Sequence, residues 1–143
     1  MAAKRSKKIL IRKSTDSLLA IHLHSITFPG DDFEDHPNNV YWIAWDGDAP
    51  VGFAIARETV GDDTTVFLSR CGVLDKYRGA GLQKRFIRVR LNWARREAFQ
   101  NVITYCTLDN PVSANNLIGS GFKVYCPAYA WAGRRILYLL KVL

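Results

Sequence analysis

Three apolar runs separated by tight polar turns, followed at once by two glycines, occupy the middle of this chain. "VYWIAW" and "APVGFAIARETV" flank Asp46-Gly47-Asp48, and Gly61-Asp62-Asp63 separates the second run from "TTVFLSRCGV". An Asp-Gly turn between apolar runs is a strong hairpin signal, because these residues accept the left-handed backbone that closes two twisted strands. The spacing predicts three consecutive antiparallel strands ending near Leu74. A wholly parallel sheet is excluded, since parallel neighbours need long crossovers.

The glycines then sit at a change of element. Arg78-Gly79-Ala80-Gly81 leads into Leu82–Phe99, where Leu82, Phe86, Val89 and Trp93 repeat at helical spacing with Ala94 and Ala98 beside them. Lys84, Arg85, Arg88, Arg95 and Arg96 take much of the remaining surface. The first N–H groups of a helix have no internal partner, and the helix dipole adds partial positive charge there. Two glycines would let an anion such as a phosphate approach that backbone, and Arg78 could add a charge-assisted hydrogen bond. An ordinary strand-to-helix turn explains the same residues. A P-loop does not, because no Lys-Ser/Thr follows the second glycine. A dinucleotide fingerprint lacks its third glycine and its βαβ setting.

The rest of the chain falls into short elements. Lys8–Arg12 reads as a first strand, and Ser14 as the N-cap of a helix with Leu18, Ile21, Leu23 and Ile26 as its apolar stripe. "PGDDFEDHPNN" reads as an acidic loop. "NVITYCTL" is a strand and "PVSANNLIGS" a short helix with Pro111 in its first turn; "GFKVYC" and "RILYLLKV" are two last strands. The resulting order is β-α-β-β-β-loop-α-β-α-β-β, in a single domain of 143 residues with residues 1–7 as a flexible basic arm.

Composition narrows the setting. The chain is 48% hydrophobic and 23% charged, which fits a globular domain rather than a disordered one. No segment has the length of a membrane span, and the basic start lacks the apolar stretch of a secretory signal, so a cytoplasmic protein is expected. Cys71, Cys106 and Cys126 are odd in number and widely spaced, which argues against a disulfide framework or a zinc site; no metal is expected. His22 and His24 lie two apart on the first helix and so do not form a ligand pair. The net charge of +7 calls for a polyanionic partner, and a phosphorylated small molecule or a nucleic acid would serve equally well.

Two stretches together resemble the GNAT superfamily of N-acetyltransferases. The family's Gln/Arg-x-x-Gly-x-Gly/Ala motif at a strand-to-helix junction is filled by Arg78-Gly79-Ala80-Gly81-Leu82-Gln83. Its later Asn-x-x-Ala/Ser, short helix and Gly-Phe are matched by Asn110, Ser113 and Gly121-Phe122. The resemblance implies an α/β (α+β) fold: a mixed, mostly antiparallel sheet with helices on both faces and acetyl-CoA in the cleft between the fourth and fifth strands. It further implies that Gly79, Ala80, Gly81, Leu82 and Gln83 present backbone amides to the pyrophosphate, beside Arg78. Cys71, Gly72, Val73 and Leu74 would bond the pantetheine as an added strand does. Asn110, Ser113 and Asn116 would flank its other side.

The implied reaction is direct acetyl transfer from acetyl-CoA to a primary amine of a small molecule, peptide or protein. Two departures from the pattern bear on it. Gln83 stands where glycine or alanine is usual, and Leu117 stands where many members carry a tyrosine that protonates the leaving thiolate; leucine has no proton to give. Transfer also needs a base for the amine proton. Glu58, Asp109 and Ser69 are the candidates for that role, and Tyr125 is the first candidate acid. Asp31, Asp32 and Glu34, with Asp35, lie where the family shapes its acceptor site and would suit a cationic amine. A non-catalytic acyl-CoA-binding or regulatory domain is the alternative, with a basic nucleic-acid-binding domain third. Monomer and homodimer both fit.

Overall fold

A computed structural model describes residues 8–143; the basic arm expected over residues 1–7 lies outside them. The chain runs β1 (Ile9–Ser14), α1 (Ser17–Thr27), β2 (Val40–Asp46), β3 (Ala49–Thr59), β4 (Asp62–Val73), α2 (Leu82–Arg96), β5 (Asn101–Thr107), α3 (Pro111–Gly119), β6 (Lys123–Val124) and β7 (Ile136–Val142). All seven strands join one sheet in the order β1-β2-β3-β4-β5-β7-β6. Every pairing is antiparallel except β4 with β5.

The meander follows from its turns. Gly47 and Gly61 both take positive φ, as tight hairpins demand. Successive residues of β2 and β3 point to opposite faces, and both faces are covered. On one, Tyr41, Ile43, Phe53 and Ile55 pack against Ala20 and Leu23 of α1. On the other, Trp42, Ala44, Ala54 and Ala56 pack with Leu82, Phe86, Leu91 and Trp93 of α2 and Leu117 of α3. The fold is thus the mixed sheet with helices on both faces that the sequence implies.

Three boundaries differ from expectation. Asp16, not Ser14, caps α1: its Oδ1 accepts from the Leu19 N–H at 3.2 Å, while Ser14 Oγ accepts from Asp16 N–H. The inward face of α1 is Ala20, Leu23, His24 and Thr27, leaving Leu18 75% and Ile26 51% exposed. At about 100° per residue the expected stripe scatters over more than half the helix circumference, whereas the observed set lies within about 100°. The second helix stops at Arg96, because Ala98 turns to φ 63° and directs Phe99 onto Trp93 at 5.6 Å. Finally, "GFKVYC" supplies only the two-residue β6.

No described helix is long and apolar enough to cross a membrane.

Candidate active site

β4 and β5 pair through only three residues, Thr65, Val66 and Phe67 against Asn101, Val102 and Ile103, and then separate. Their divergence coincides with a bulge in β4, where Ser69 and Arg70 together oppose Ile55 of β3. A bulge and a splay leave backbone carbonyls without ladder partners, and side chains take them over. Thr104 Oγ1 donates to the Leu68 carbonyl at 2.8 Å. Arg90, 3% exposed, reaches up from α2 and donates from Nη1 to the carbonyls of Ile55 (3.0 Å) and Ser69 (3.2 Å), and from Nε to Phe86 (3.1 Å). Beyond Arg70 the outer edge of β4 borders an open cleft.

The lower part of that cleft is a groove of about 640 Å³ between β4, the start of α2 and α3. Gly72, Val73, Arg78, Gly79, Gly81 and Gln83 contribute to its lining. A 3-10 turn at Asp75–Tyr77 leads into it, and Tyr77 Oη ties this turn to β2 by donating to Asp46 at 2.6 Å. Gly79 and Gly81 both sit at φ 80°, with nothing within 4 Å of where a Cβ would lie. Gly81 is the N-cap of α2 and has no side chain, so the first-turn amides open directly onto the groove. Arg78 folds back, donating from Nε to the Val73 carbonyl and pairing with Asp75 at 3.3 Å on the surface.

Asn110, Ser113, Asn116 and Gln83 close the side towards α3. Asn110 Oδ1 caps α3 by accepting from the Ser113 N–H. Gln83 donates to Ser113 Oγ at 3.2 Å and accepts from Asn116 Nδ2 at 2.9 Å. The residue that departs from the family pattern therefore clasps the two helices.

Above the clasp lies a second cavity of about 270 Å³, which shares Cys71, Gln83 and Asn110 with the groove. Its walls carry Ser69 and Arg70 from β4, Arg90 from α2, Tyr105 from β5 and Leu117 from α3. Asp31 and Glu34 of the acidic loop also reach it, but each is held by an arginine. Arg70 meets Asp31 at 2.8 Å and lies 4.6 Å over the Phe28 ring; Arg57 meets Glu34 at 2.7 Å and lies 4.9 Å over Phe67. The acidic loop thus brings two paired carboxylates, not a free cluster.

His24 is buried among Phe28, Phe33 and Phe53 beside Arg70. Burial, and then the positive charge of Arg70, lower its pKa against the opposing pull of Asp31. Burial pushes the Cys71 thiol up to about 11, over the opposite influence of Arg90. It is therefore a neutral thiol at physiological pH and a poor nucleophile. An aromatic ledge of Phe67, Tyr105 and Trp131 borders the upper cavity, with ring centroids 5.5–5.9 Å apart. The loop carrying Trp131 is tied down by Tyr138 Oη, which accepts from the Ala132 N–H and donates to the Gly133 carbonyl.

Of the candidate catalytic residues, Ser69 lines the upper cavity. Glu58, Asp109 and Tyr125 line neither space; Tyr125 accepts a 3.4 Å hydrogen bond from Trp131 Nε1 instead. Asp32 is exposed and also lines neither. The sequence reading passed over Arg90 and Arg70. Arg90 did carry a signal: it stands four residues after Phe86, inside the apolar stripe of α2, where an arginine is out of place. Among the described residues no group of three or more His, Cys, Asp or Glu is gathered as a metal site.

Comparison with known proteins agrees with this geometry. Searched by sequence, no curated protein matches the chain. Among solved structures, the ribosomal-protein-S18-alanine N-acetyltransferase of Escherichia coli superposes with a TM-score of 0.77 at 12% identity, covering 94% of this chain and 93% of that one. An acetyltransferase of Bacillus subtilis in complex with CoA gives 0.74 at 15% identity over 95% and 98% of the two chains. A GNAT family acetyltransferase of Elizabethkingia anophelis with acetyl-CoA bound gives 0.77 at 13% identity over 95% and 99%. At such identities the superpositions establish the fold. Residues 12–119 match the model of the acetyltransferase (GNAT) family, and the chain belongs to that family.

Proposed function

We infer that this protein is an acetyl-CoA-dependent N-acetyltransferase acting directly on a primary amine. The observation that carries the reading is the bare glycine cradle at the start of α2, opening onto the splayed edge of β4. Gly79 and Gly81 leave room for a pyrophosphate against unpaired helix amides, and Arg78 stands beside them. The edge at Cys71–Val73 is free to bond an extended pantetheine arm, and Asn110 and Asn116 border the opposite wall. Structures of similar fold that hold CoA or acetyl-CoA support the same donor.

In the reaction, the amine nitrogen bonds to the thioester carbon, the carbon–sulfur bond breaks, and sulfur keeps the electron pair. The nitrogen gives up a proton. Asp31 and Glu34 are both paired, and Glu58 and Asp109 lie off the cavity. Ser69 therefore serves by ordering a water that carries the proton to solvent. The acceptor amine enters between the aromatic ledge and the Asp31–Arg70 pair.

Calorimetric titration with CoA tests the reading. Wild type should bind, Gly81→Glu should not, and an absence of binding by wild type at millimolar CoA would remove the claim. Leu117, buried where a proton donor is usual in the family, favours a second reading, a non-catalytic acyl-CoA-binding domain. Radiolabelled acetyl transfer to a panel of amines and protein extracts separates the two.

A further inference from the structure

Arg90 carries more than the bulge needs. A guanidinium has five N–H donors, and the bonds to Phe86, Ile55 and Ser69 engage Nε and Nη1 alone. Nη2 has no acceptor among the described residues. Since no fully buried side-chain polar atom among the described residues lacks a partner, Nη2 keeps an opening, and the upper cavity is the space that Arg90 lines. Among the described residues Arg90 has no carboxylate within ion-pair distance, in contrast to Arg57, Arg70 and Arg78. A buried, uncompensated cation is costly, and a fold that needed only carbonyl caps could use neutral donors. Burial lowers the pKa of Arg90, yet arginine starts so high that it stays charged at neutral pH.

The same cavity contains Leu117, which can give no proton to a leaving thiolate. Resting on the acetyl-CoA reading, we propose that Arg90 takes over that task by charge, its open Nη2 edge stabilising the sulfur as it departs with the electron pair. The thiolate then takes its proton from solvent after the carbon–sulfur bond is broken. The other charged or titratable groups facing this space are Asp31 and Glu34 from the acidic loop, Arg70 and Cys71 from β4, and Tyr105 and Cys106 from β5. Asp31 is neutralised by Arg70 and Glu34 by Arg57, and Cys71 and Cys106 are pushed up by burial. Arg90 is the unbalanced charge.

Free CoA, the product, is the probe, and no acceptor is required. The thiol of CoA bound to wild type is titrated by thiolate absorbance, with the desulfo-CoA complex as blank, and calorimetry confirms occupancy. The bound thiol should ionise about one pH unit or more below free CoA, roughly a tenfold gain in thiolate fraction at a given pH. Arg90→Gln should return it towards the free value, while Arg90→Lys, which keeps the charge, should hold it low. A wild-type bound thiol that titrates at or above free CoA overturns the proposal, as does an Arg90→Gln complex as acidic as wild type. If Arg90→Gln fails to fold, the wild-type titration and Arg90→Lys still decide. Absence of CoA binding by wild type overturns the acyltransferase reading itself, whereas binding with an unshifted thiol overturns this inference alone.

Discussion

Gln83 on α2 and Asn116 on α3 share a 2.9 Å hydrogen bond across the floor of the cleft, and Ser113 joins them through Gln83 Nε2. The contact links the start of one helix to the middle of the other, so its loss should be felt in stability as well as in the shape of the groove. Gln83→Ala, Asn116→Ala and the double variant should show a coupling energy of about 0.5–1.5 kcal/mol in urea denaturation. Strict additivity would mean that the clasp does no work in solution.

Alanine at either of two glycines should destabilise the fold, for different physical reasons. A Cβ on Gly72 would meet Thr27 Oγ1, lie 2.6 Å from Phe53 Cε1 and 2.9 Å from Thr27 Cβ. Thr27 is itself held by a hydrogen bond to the Leu23 carbonyl, so it cannot simply swing away. Gly72→Ala should therefore cost about 1–3 kcal/mol from overpacking and press α1 off the sheet. Gly81→Ala meets no atom and carries only the left-handed backbone strain, about 1–2 kcal/mol. Thermal melts of the two variants, with CoA titration of each, check the contrast; Gly81→Ala should weaken CoA binding while leaving the α1 contact intact.

Alkaline stability should carry the signature of Cys71. Its folded pKa of about 11 stands above the ordinary value of 9.0, so below pH 9.0 both states keep the proton and nothing is lost. Between pH 9.0 and about 11 the unfolded chain gives up a proton that the folded one retains, and stability falls as pH rises. Cys71→Ala should flatten this limb in denaturation measured against pH. A limb that persists unchanged in that variant would place the effect elsewhere.

His24 should act at the acid end. Its folded pKa lies below 6.5, so the neutral ring is fully accommodated above that value. As pH falls below 6.5 the unfolded chain binds a proton that the folded one resists, and stability drops until the folded pKa is reached. The protonated ring would also repel Arg70, which holds Asp31 at the cavity mouth. His24→Phe, placed among Phe28, Phe33 and Phe53, should remove the acid slope; an equal slope in wild type and variant would refute the assignment.

Features set by neighbouring residues were legible from the amino-acid sequence alone. The hairpins at Gly47 and Gly61 and the glycine turn before Leu82 depend on interactions within a few residues, although the cap of α1, equally local, falls on Asp16 rather than the expected Ser14. The amphipathic pattern of α2 was equally plain, while the scattered apolar residues of α1 misdirected its inward face. What stayed hidden depends on distant partners. Arg90 meets carbonyls 21 and 35 residues away, and Glu34 and Asp31 of the acidic loop are paired by arginines 23 and 39 residues further on. An acidic run in sequence says how much charge is present, but pairing decides how much is left for a ligand.

The three-residue seam between β4 and β5 also has a mechanical meaning. At one end the sheet is seven strands wide, and at the other it is two leaves, β1 to β4 and β5 to β6, joined like a book near its spine. The leaves share a backbone ladder only at Thr65–Phe67, and beyond it each is held by its own strand pairs. Where the ladder ends, side chains take its place: Thr104 bonds to Leu68 across the seam, and the clasp at Gln83 ties α2 to α3 beneath it. The fold of the book therefore leaves the facing edges of β4 and β5 without ladder partners beyond Phe67 and Ile103.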